Sequence, residues 1–298
     1  MEKTTKAHLA VLGANIIYGV SFSAVKMLTS NFMPAFSLNL VRIGVSAPLF
    51  WLLFAMKPSK AGIRKEDIPR FLMCAVTGVA INQLMFIKGV SLTSSIHASI
   101  LSLVSPIFIT AAAGWLLKER FTWLKGLGLV LGISGALTIV TGRQQTTAPG
   151  ENMLVGDILI IINAISYSIY FVIVKPLMEK YHPIHIVRWI FTFGVFLILP
   201  FGIGDFMATD FPAFTSGAWA ALVLVVLGTT FLAYLLNVFG LKYLGAGITG
   251  TYIYTQPLFA SFIGILLLGE HFSMRLAIAG TMIGFGVFLA TRKNVAAT

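Results

Sequence analysis

The chain has 298 residues, of which 57% are hydrophobic and only 10% are charged. A soluble domain carries about 25% charged residues, so this composition excludes one. A net charge of +11 would suggest nucleic acid as the partner of a soluble protein, but here the basic residues flank apolar segments, and we predict no nucleic-acid partner. The single cysteine, Cys74, excludes a disulfide framework.

Apolar segments of about 20 residues, the length that crosses a hydrocarbon core, recur along the whole chain. The predicted spans, numbered one to ten in chain order, are 8–28, 34–56, 69–88, 94–117, 123–141, 155–175, 183–204, 216–241, 246–268 and 273–291. The sequence therefore predicts an all-α integral membrane protein with ten transmembrane helices in the lipid bilayer.

Lys and Arg residues are distributed unequally between the two sides of these spans. With the N-terminus inside, fifteen lie at inner ends and connections and four at outer ones. Basic residues favour the cytoplasmic side. We therefore expect both termini to be cytoplasmic, in a multi-pass protein of the plasma (inner) membrane.

The two halves of the chain share a pattern. A polar connection at 143–154 separates a first half, 1–142, from a second half, 155–298. Three positions recur at a constant offset of 151 residues: Pro106 and Pro257, Glu119 and Glu270, Phe121 and Phe272. Each half holds five predicted spans, an odd number, so the second half must be inverted relative to the first. Inverted repeats are typical of secondary transporters, because two such halves can exchange inward-open and outward-open shapes.

In both halves an apolar span with a central proline ends on Leu-Leu-x-Glu-x-Phe, at 116–121 and 267–272. With its ten spans and five-span duplication, the whole chain resembles the drug/metabolite transporter superfamily, in its EamA-type branch. The resemblance implies a ten-helix bundle whose substrate path runs between the halves, closest to spans three, four, eight and nine. It also implies that spans five and ten lie at the periphery. The family includes bacterial exporters of amino acids and related metabolites.

Pro106 and Pro257 fall near the centres of spans four and nine. Proline removes a backbone donor and kinks a helix, and the carbonyl that it frees is tolerated in a membrane only within protein or beside a wet cavity. Because the kink is duplicated, we favour a hinge at the substrate cavity over an ordinary packing kink. Glu119 and Glu270 fall at span ends, where we predict a structural role, such as pairing with basic loop residues or capping the next helix.

Arg42 and Arg188 are the two arginines that lie well inside predicted spans and not at the first residues of one. An embedded guanidinium must be paired or face water. For Arg188, close to its span end, we predict snorkelling or bonding to nearby carbonyls. For Arg42, which lies deeper, two interpretations stay open: the same structural role, or an anion hook for a substrate carboxylate.

Polar and aromatic residues recur in the spans that the resemblance places nearest the path, and also in spans one and six. As a set they predict the lining of a substrate cavity, although any one of them is more typical of a hydrogen bond between helices. The predicted lining is Asn15, Tyr18, Arg42, Asn82, Gln83, Ser102, Ser105, Asn163, Tyr167, Tyr234, Tyr252 and Gln256. His97, near the start of span four, is a candidate protonation site, but a structural hydrogen bond is the commoner role for such a histidine.

The leading interpretation is a secondary transporter that exports amino acids or similar small amphipathic metabolites by alternating access, without ion coupling. A proton-coupled drug/metabolite antiporter is the alternative, and a channel or a lipid-handling protein is a further one. Asp157 is the single acidic residue inside the predicted spans, and no catalytic set or phosphate loop is recognisable, so we predict no enzyme activity. We expect no cofactor and no metal, and a monomer or weak homodimer.

Overall fold

The computed structural model describes residues 3–56, 62–116, 122–142, 152–233, 235–237, 239–240, 243–244, 249 and 252–291. These residues form helices, turns and connections, with no β-strand among them. Eight helices in this part of the chain are long and apolar enough to cross a membrane, and Tyr252–Leu268 and Met274–Ala290 are shorter apolar helices.

Some of the spans of the first repeat are broken by irregular segments. Span one is Lys3–Asn31 and span two is Ala35–Met56. Span three consists of Ile68–Ala75, a π-helical segment Val76–Ala80 and Ile81–Leu92, after the 3-10 turn Lys65–Asp67. Span four consists of Ser95–Ser102 and Ser105–Leu116, and span five is Trp123–Val140.

The second repeat has a similar pattern of breaks. Span six is Met153–Ile173, followed by the short helix Lys175–Met178, and span seven is Pro183–Met207. After the 3-10 turn Phe211–Ala213, span eight begins with Ser216–Val223 and continues as a π-helical segment, Leu224–Leu232. The described part of span nine begins with a 3-10 turn, Tyr252–Thr255, and continues as Gln256–Leu268; span ten is Met274–Thr291.

Short polar side chains set several helix starts. A residue before the helix accepts a hydrogen bond from a backbone N–H of the first turn, which would otherwise have no partner. Ser94, Thr122, Asn152 and Thr215 do this for spans four, five, six and eight. Span nine ends at Gly269, whose φ of 64° is the left-handed conformation that glycine adopts without strain.

The packing of the spans follows the predicted inversion. Span two packs against span seven and span five against span ten, which are equivalent positions of the two repeats. Span six packs against spans three and four, and span one packs correspondingly against spans eight and nine. A single buried apolar cluster takes residues from every span except the seventh. The fold is therefore an all-α membrane bundle of ten transmembrane helices in two inverted five-helix repeats.

Spans five and ten, which belong to different repeats, approach each other closely at small residues. A Cβ added at Gly128 would meet the carbonyl oxygen of Gly286 and the backbone nitrogen of Ala290. A Cβ at Gly286 would in turn lie 2.7 Å from the carbonyl oxygen of Gly128. Glycine is required here because any side chain would push the two helices apart.

Candidate substrate site between the repeats

Arg42 lies at the centre of a polar cluster that both repeats build. Its Nε donates to Thr230 Oγ1 over 2.8 Å, and its Nη1 donates to Gln83 Oε1 over 2.8 Å. Thr230 belongs to the π-helical segment of span eight, and Gln83 follows the π-helical segment of span three. Such segments are frequent at functional sites. The guanidinium thereby joins spans two, three and eight.

One tyrosine lies beside this arginine, and a second tyrosine interacts with the first. Tyr18 of span one hydrogen-bonds the side chain of Asn237 and interacts electrostatically with Arg42 and with Tyr167 of span six. Tyr18 is half-buried and 37% of Tyr167 is exposed, so both side chains keep accessible surface. Arg42 is half-buried in the same way.

Asn82 and Asn163 connect the cluster to span six. Asn163 Nδ2 donates to the carbonyl oxygen of Asn82 over 2.8 Å, and Asn82 Nδ2 donates to the carbonyl oxygen of Asn163 over 3.4 Å. Asn82 Oδ1 also accepts from Gln83 Nε2 over 3.2 Å. Both asparagines are buried, so their contacts tie spans three and six together and hold Gln83 toward Arg42.

Asn15 and Gln256 join spans one and nine. Gln256 Nε2 donates to Asn15 Oδ1 over 2.8 Å, and Asn15 Nδ2 donates to the carbonyl oxygen of Val11 over 2.8 Å. Tyr252 lies further along the same interface, with its hydroxyl 2.7 Å from His8 Nδ1. Tyr252 and Gln256 both face span one, but they bond to different partners about two helical turns apart.

The helices of spans four and nine are interrupted immediately before their prolines. In span four, Leu103 and Val104 form a turn, and Ser105 Oγ donates over 2.9 Å to the carbonyl oxygen of Ser102, the acceptor that Pro106 frees. Ser102 Oγ donates within its own helix to Ala98. In span nine, Thr255 Oγ1 donates over 2.7 Å to the carbonyl oxygen of Tyr252 in the 3-10 turn before Pro257. The duplicated interruption fits a hinge, which remains a prediction.

Glu270 binds the start of span four, which belongs to the other repeat. Its carboxylate accepts from the backbone N–H of Ser95 over 2.7 Å and of Ile96 over 3.0 Å, and from Ser95 Oγ over 2.9 Å. A carboxylate at a helix N-terminus satisfies N–H groups that have no partner within the helix. Glu270 thus caps the start of span four, whereas the sequence predicts pairing with basic loop residues or capping of the next helix in the chain.

His97 contacts the one acidic residue inside the predicted spans. Its Nδ1 lies 3.2 Å from Asp157 Oδ2, and Asp157 Oδ1 accepts from Thr93 Oγ1 over 2.5 Å. Asp157 is fully buried. The cluster joins the end of span three and the start of span four to the start of span six, so two ionisable side chains lie at an interface between the repeats.

Arg188 occupies a different environment from Arg42. Its guanidinium carbon lies 3.3 Å from the ring centroid of Phe54 and 4.5 Å from that of Trp51, and Nη2 lies 2.7 Å from His185 Nδ1. The side chain is 1% exposed. Cation–π contacts with aromatic rings stabilise it inside the bundle, so it neither snorkels nor joins the substrate cluster.

Sequence patterns missed two of the residues that now complete these contacts. Thr230 is one of two adjacent threonines inside the apolar eighth span, a signal that was available. His8 and Asp157 are 149 residues apart, the same offset as between Tyr18 and Tyr167. They are therefore equivalent positions of the two repeats, and both carry an ionisable side chain. Tyr234 and Glu119 lie outside the described residues.

A ten-span bundle of inverted repeats, with a polar cluster shared between them, is the architecture of a secondary transporter. The family model described as the EamA-like transporter family matches residues 5–141 and 154–292. The chain belongs to the EamA-like transporter family. It is a multi-pass membrane transporter, and this class acts on small molecules.

Relatives cover nearly the whole chain. It is 24% identical to "Uncharacterized transporter YetK" of Bacillus subtilis, over 99% of this chain and 89% of the relative. It is also 24% identical to a "Probable terminal-alkyne amino-acid exporter" of Streptantibioticus cattleyicolor, over 98% of this chain and 96% of that one. A solved crystal structure with 14% sequence identity aligns with a TM-score of 0.61 over 96% of both chains, which shows a likeness in fold alone.

Proposed function

We propose that this transporter exports amino acids or similarly small amphipathic metabolites by alternating access between its repeats. The observation that carries the proposal is the cluster around Arg42, whose hydrogen-bond partners come from spans three and eight of opposite repeats. Tyr18 and Tyr167 add aromatic faces with hydroxyl groups, which suit a solute with an apolar body and a polar end. A relative named as a probable amino-acid exporter supports the substrate class and the direction.

The proposal includes an orientation and a division of the chain. Both termini are cytoplasmic in the plasma (inner) membrane, 143–154 links repeats at 1–142 and 155–298, and the chain acts as a monomer or weak homodimer. Pro106 and Pro257 serve as hinges, because each follows a helix interruption. A reporter fused after Arg143 should lie on the external side of the membrane, and a reporter fused at the C-terminus should lie in the cytoplasm. Finding both reporters on the same side would contradict the inversion.

The transport step is tested in two stages. Metabolite profiling of cells that overproduce the protein should find amino acids or related solutes enriched in the medium. In reconstituted vesicles without an ion gradient, an internally loaded solute from that profile should drive uptake of its labelled form by counterflow. Absence of both export and counterflow would contradict the proposed function.

A proton-coupled antiporter is the second candidate, favoured by one observation. Asp157, which is fully buried, and His97, which is partly exposed, form an ionisable pair at the interface between the repeats. If that pair couples transport, an imposed pH difference should drive net uptake against the solute gradient, and dissipating the pH difference should abolish it. Counterflow without any pH-driven accumulation would contradict proton coupling and support the uncoupled mechanism.

A further inference from the structure

The guanidinium of Arg42 is held by neutral acceptors and retains a donor group. Nε bonds to a hydroxyl oxygen and Nη1 to an amide oxygen, each over 2.8 Å. Nη2 has no hydrogen bond to any residue that the structure describes, and the Arg42 side chain is half-buried. The two bonds fix the plane of the guanidinium. A preorganised donor therefore lies beside Tyr18, and both side chains keep accessible surface.

Among the residues that the structure describes, no carboxylate is paired with Arg42. Asp157 is the single acidic residue inside the predicted spans, and it lies near the start of span six, bonded to Thr93 and His97. Glu270 is bonded to the start of span four, and Asp67 accepts from Lys180 Nζ and Tyr181 Oη. The full set of acidic residues is Glu2, Glu66, Asp67, Glu119, Glu151, Asp157, Glu179, Asp205, Asp210 and Glu270.

An embedded cation without a counter-anion is costly, and it marks a functional site when it faces an accessible cavity. A guanidinium matches the planar fork of a carboxylate better than any other side chain does. We propose that Arg42 is the specificity-determining residue of this site and that the recognised ligand is a monocarboxylate, selected by its carboxylate and not by its amino group. The proposal rests on the transport function proposed above and narrows its substrate class.

The indifference to an amino group follows from the residues around the arginine. The side chains that bond to Arg42 or interact with it electrostatically, among the residues that the structure describes, are those of Tyr18, Gln83 and Thr230, and none of them carries a negative charge. An ammonium group would need a carboxylate for strong selection. A deaminated analogue that keeps the carboxylate and the apolar body should therefore bind about as well as the amino acid.

Four probes with one apolar body separate the two charged groups. L-Leucine has both, 4-methylpentanoate has only the carboxylate, 3-methylbutylamine has only the amine, and L-leucinamide has a neutral amide in place of the carboxylate. Binding to the purified full-length protein is measured by thermal shift. The two carboxylates should bind with affinities within a factor of about ten of each other, and the amine and the amide about tenfold or more weaker.

Three substitutions assign the effect to Arg42. Arg42→Gln should remove the preference for carboxylates, and Arg42→Lys, which keeps the charge but loses the fork, should keep a reduced preference. Thr230→Val, which removes only the acceptor for Nε, should weaken carboxylate binding and preserve the preference. Arg64→Gln is the matched control, because Arg64 is an exposed arginine before span three, and it should change nothing.

The outcomes separate this inference from the transport function. Failure of both carboxylates to bind at millimolar concentration, or a preference for leucine over 4-methylpentanoate of well over tenfold, would overturn the inference. So would a carboxylate preference that survives Arg42→Gln. Counterflow of the amine and the amide as fast as that of the carboxylates would overturn it and leave the transporter intact. Arg42-dependent carboxylate binding without counterflow would instead support the site and contradict transport.

Discussion

Span one packs against span nine, and span six packs against span four. The two interfaces occupy equivalent positions of the two repeats, but their side chains differ in chemistry. Gly19 and Ser168 lie at matching positions, 149 residues apart. A Cβ at Gly19 would come within 2.8 Å of the carbonyl oxygen of Gln256. Ser168 Oγ donates over 3.2 Å to the carbonyl oxygen of Ser105, the residue that matches Gln256. At this close approach of two helices, one repeat has a glycine, which leaves room for the backbone, and the other has a serine, whose hydroxyl group contacts it.

The side chains further along these interfaces differ more. Span one meets span nine through an amide pair, Asn15 and Gln256, and through His8 and Tyr252. Span six meets span four through a fully buried carboxylate, Asp157. Duplication therefore fixes where the helices touch, while substitution after duplication decides which interface carries charge. Two inverted halves can therefore pack in the same way although equivalent positions carry different side chains.

The largest expected effect is at the charged interface. Replacing Asp157 by alanine removes the carboxylate that the Thr93 hydroxyl and the His97 imidazole contact, and each hydrogen bond to a charged group contributes about 1.5–3 kcal/mol. Asn15→Ala, at the other interface, removes a neutral hydrogen bond, which costs about 1–3 kcal/mol. Thermal unfolding in detergent should rank the Asp157 variant lower. Equal melting temperatures would show that the carboxylate does not distinguish the interfaces.

An intermediate effect is expected at the close approach of span one. Gly19→Ala places a methyl group 2.7 Å from Phe259 Cβ and 2.8 Å from a carbonyl oxygen, and overpacking of this kind costs about 1–3 kcal/mol. Gly13→Ala is the matched control on the same helix, because the nearest atom to its Cβ, Leu236 Cδ1, is 3.9 Å away. The melting temperature should fall only for Gly19→Ala, whereas Gly13→Ala should leave it unchanged or raise it, because alanine has the higher helix propensity. A similar loss in both variants would show that the close contact at Gly19 is not its cause.

The smallest effect is expected at Ser168. Its hydroxyl group is 2.6 Å from the carbonyl oxygen of Ala164 in its own helix and 3.2 Å from that of Ser105. Replacement by alanine removes the hydroxyl group without adding volume, and one such hydrogen bond contributes about 0.5–1.5 kcal/mol. Thr281→Ala is the control, since the Thr281 hydroxyl donates only within its own helix, to Ala277, and is exposed. Unfolding measurements should show a small loss for Ser168 and none for Thr281. A loss at Ser168 as large as that for Gly19→Ala would contradict its assigned role.

The sequence by itself predicted the ten spans, the inverted duplication and the residues that break spans four and nine. These features are local, because the apolar length of a segment, an odd number of spans and a mid-span proline act wherever the rest of the chain lies. The Leu-Leu-x-Glu-x-Phe repeats also indicated the family, which the family match over 5–141 and 154–292 confirmed.

The tertiary structure decided which of these residues meet. Arg42 and Arg188 look alike in sequence, each a single arginine in an apolar span, yet one bonds polar groups of both repeats and the other lies against aromatic rings. Arg42 and Thr230 are 188 residues apart, and Glu270 and Ser95 are 175 apart. No periodicity within a helix can assign such partners, because they depend on how the helices cross. The partners of a buried polar group are therefore set by long-range packing, while its presence in the membrane is set by the sequence.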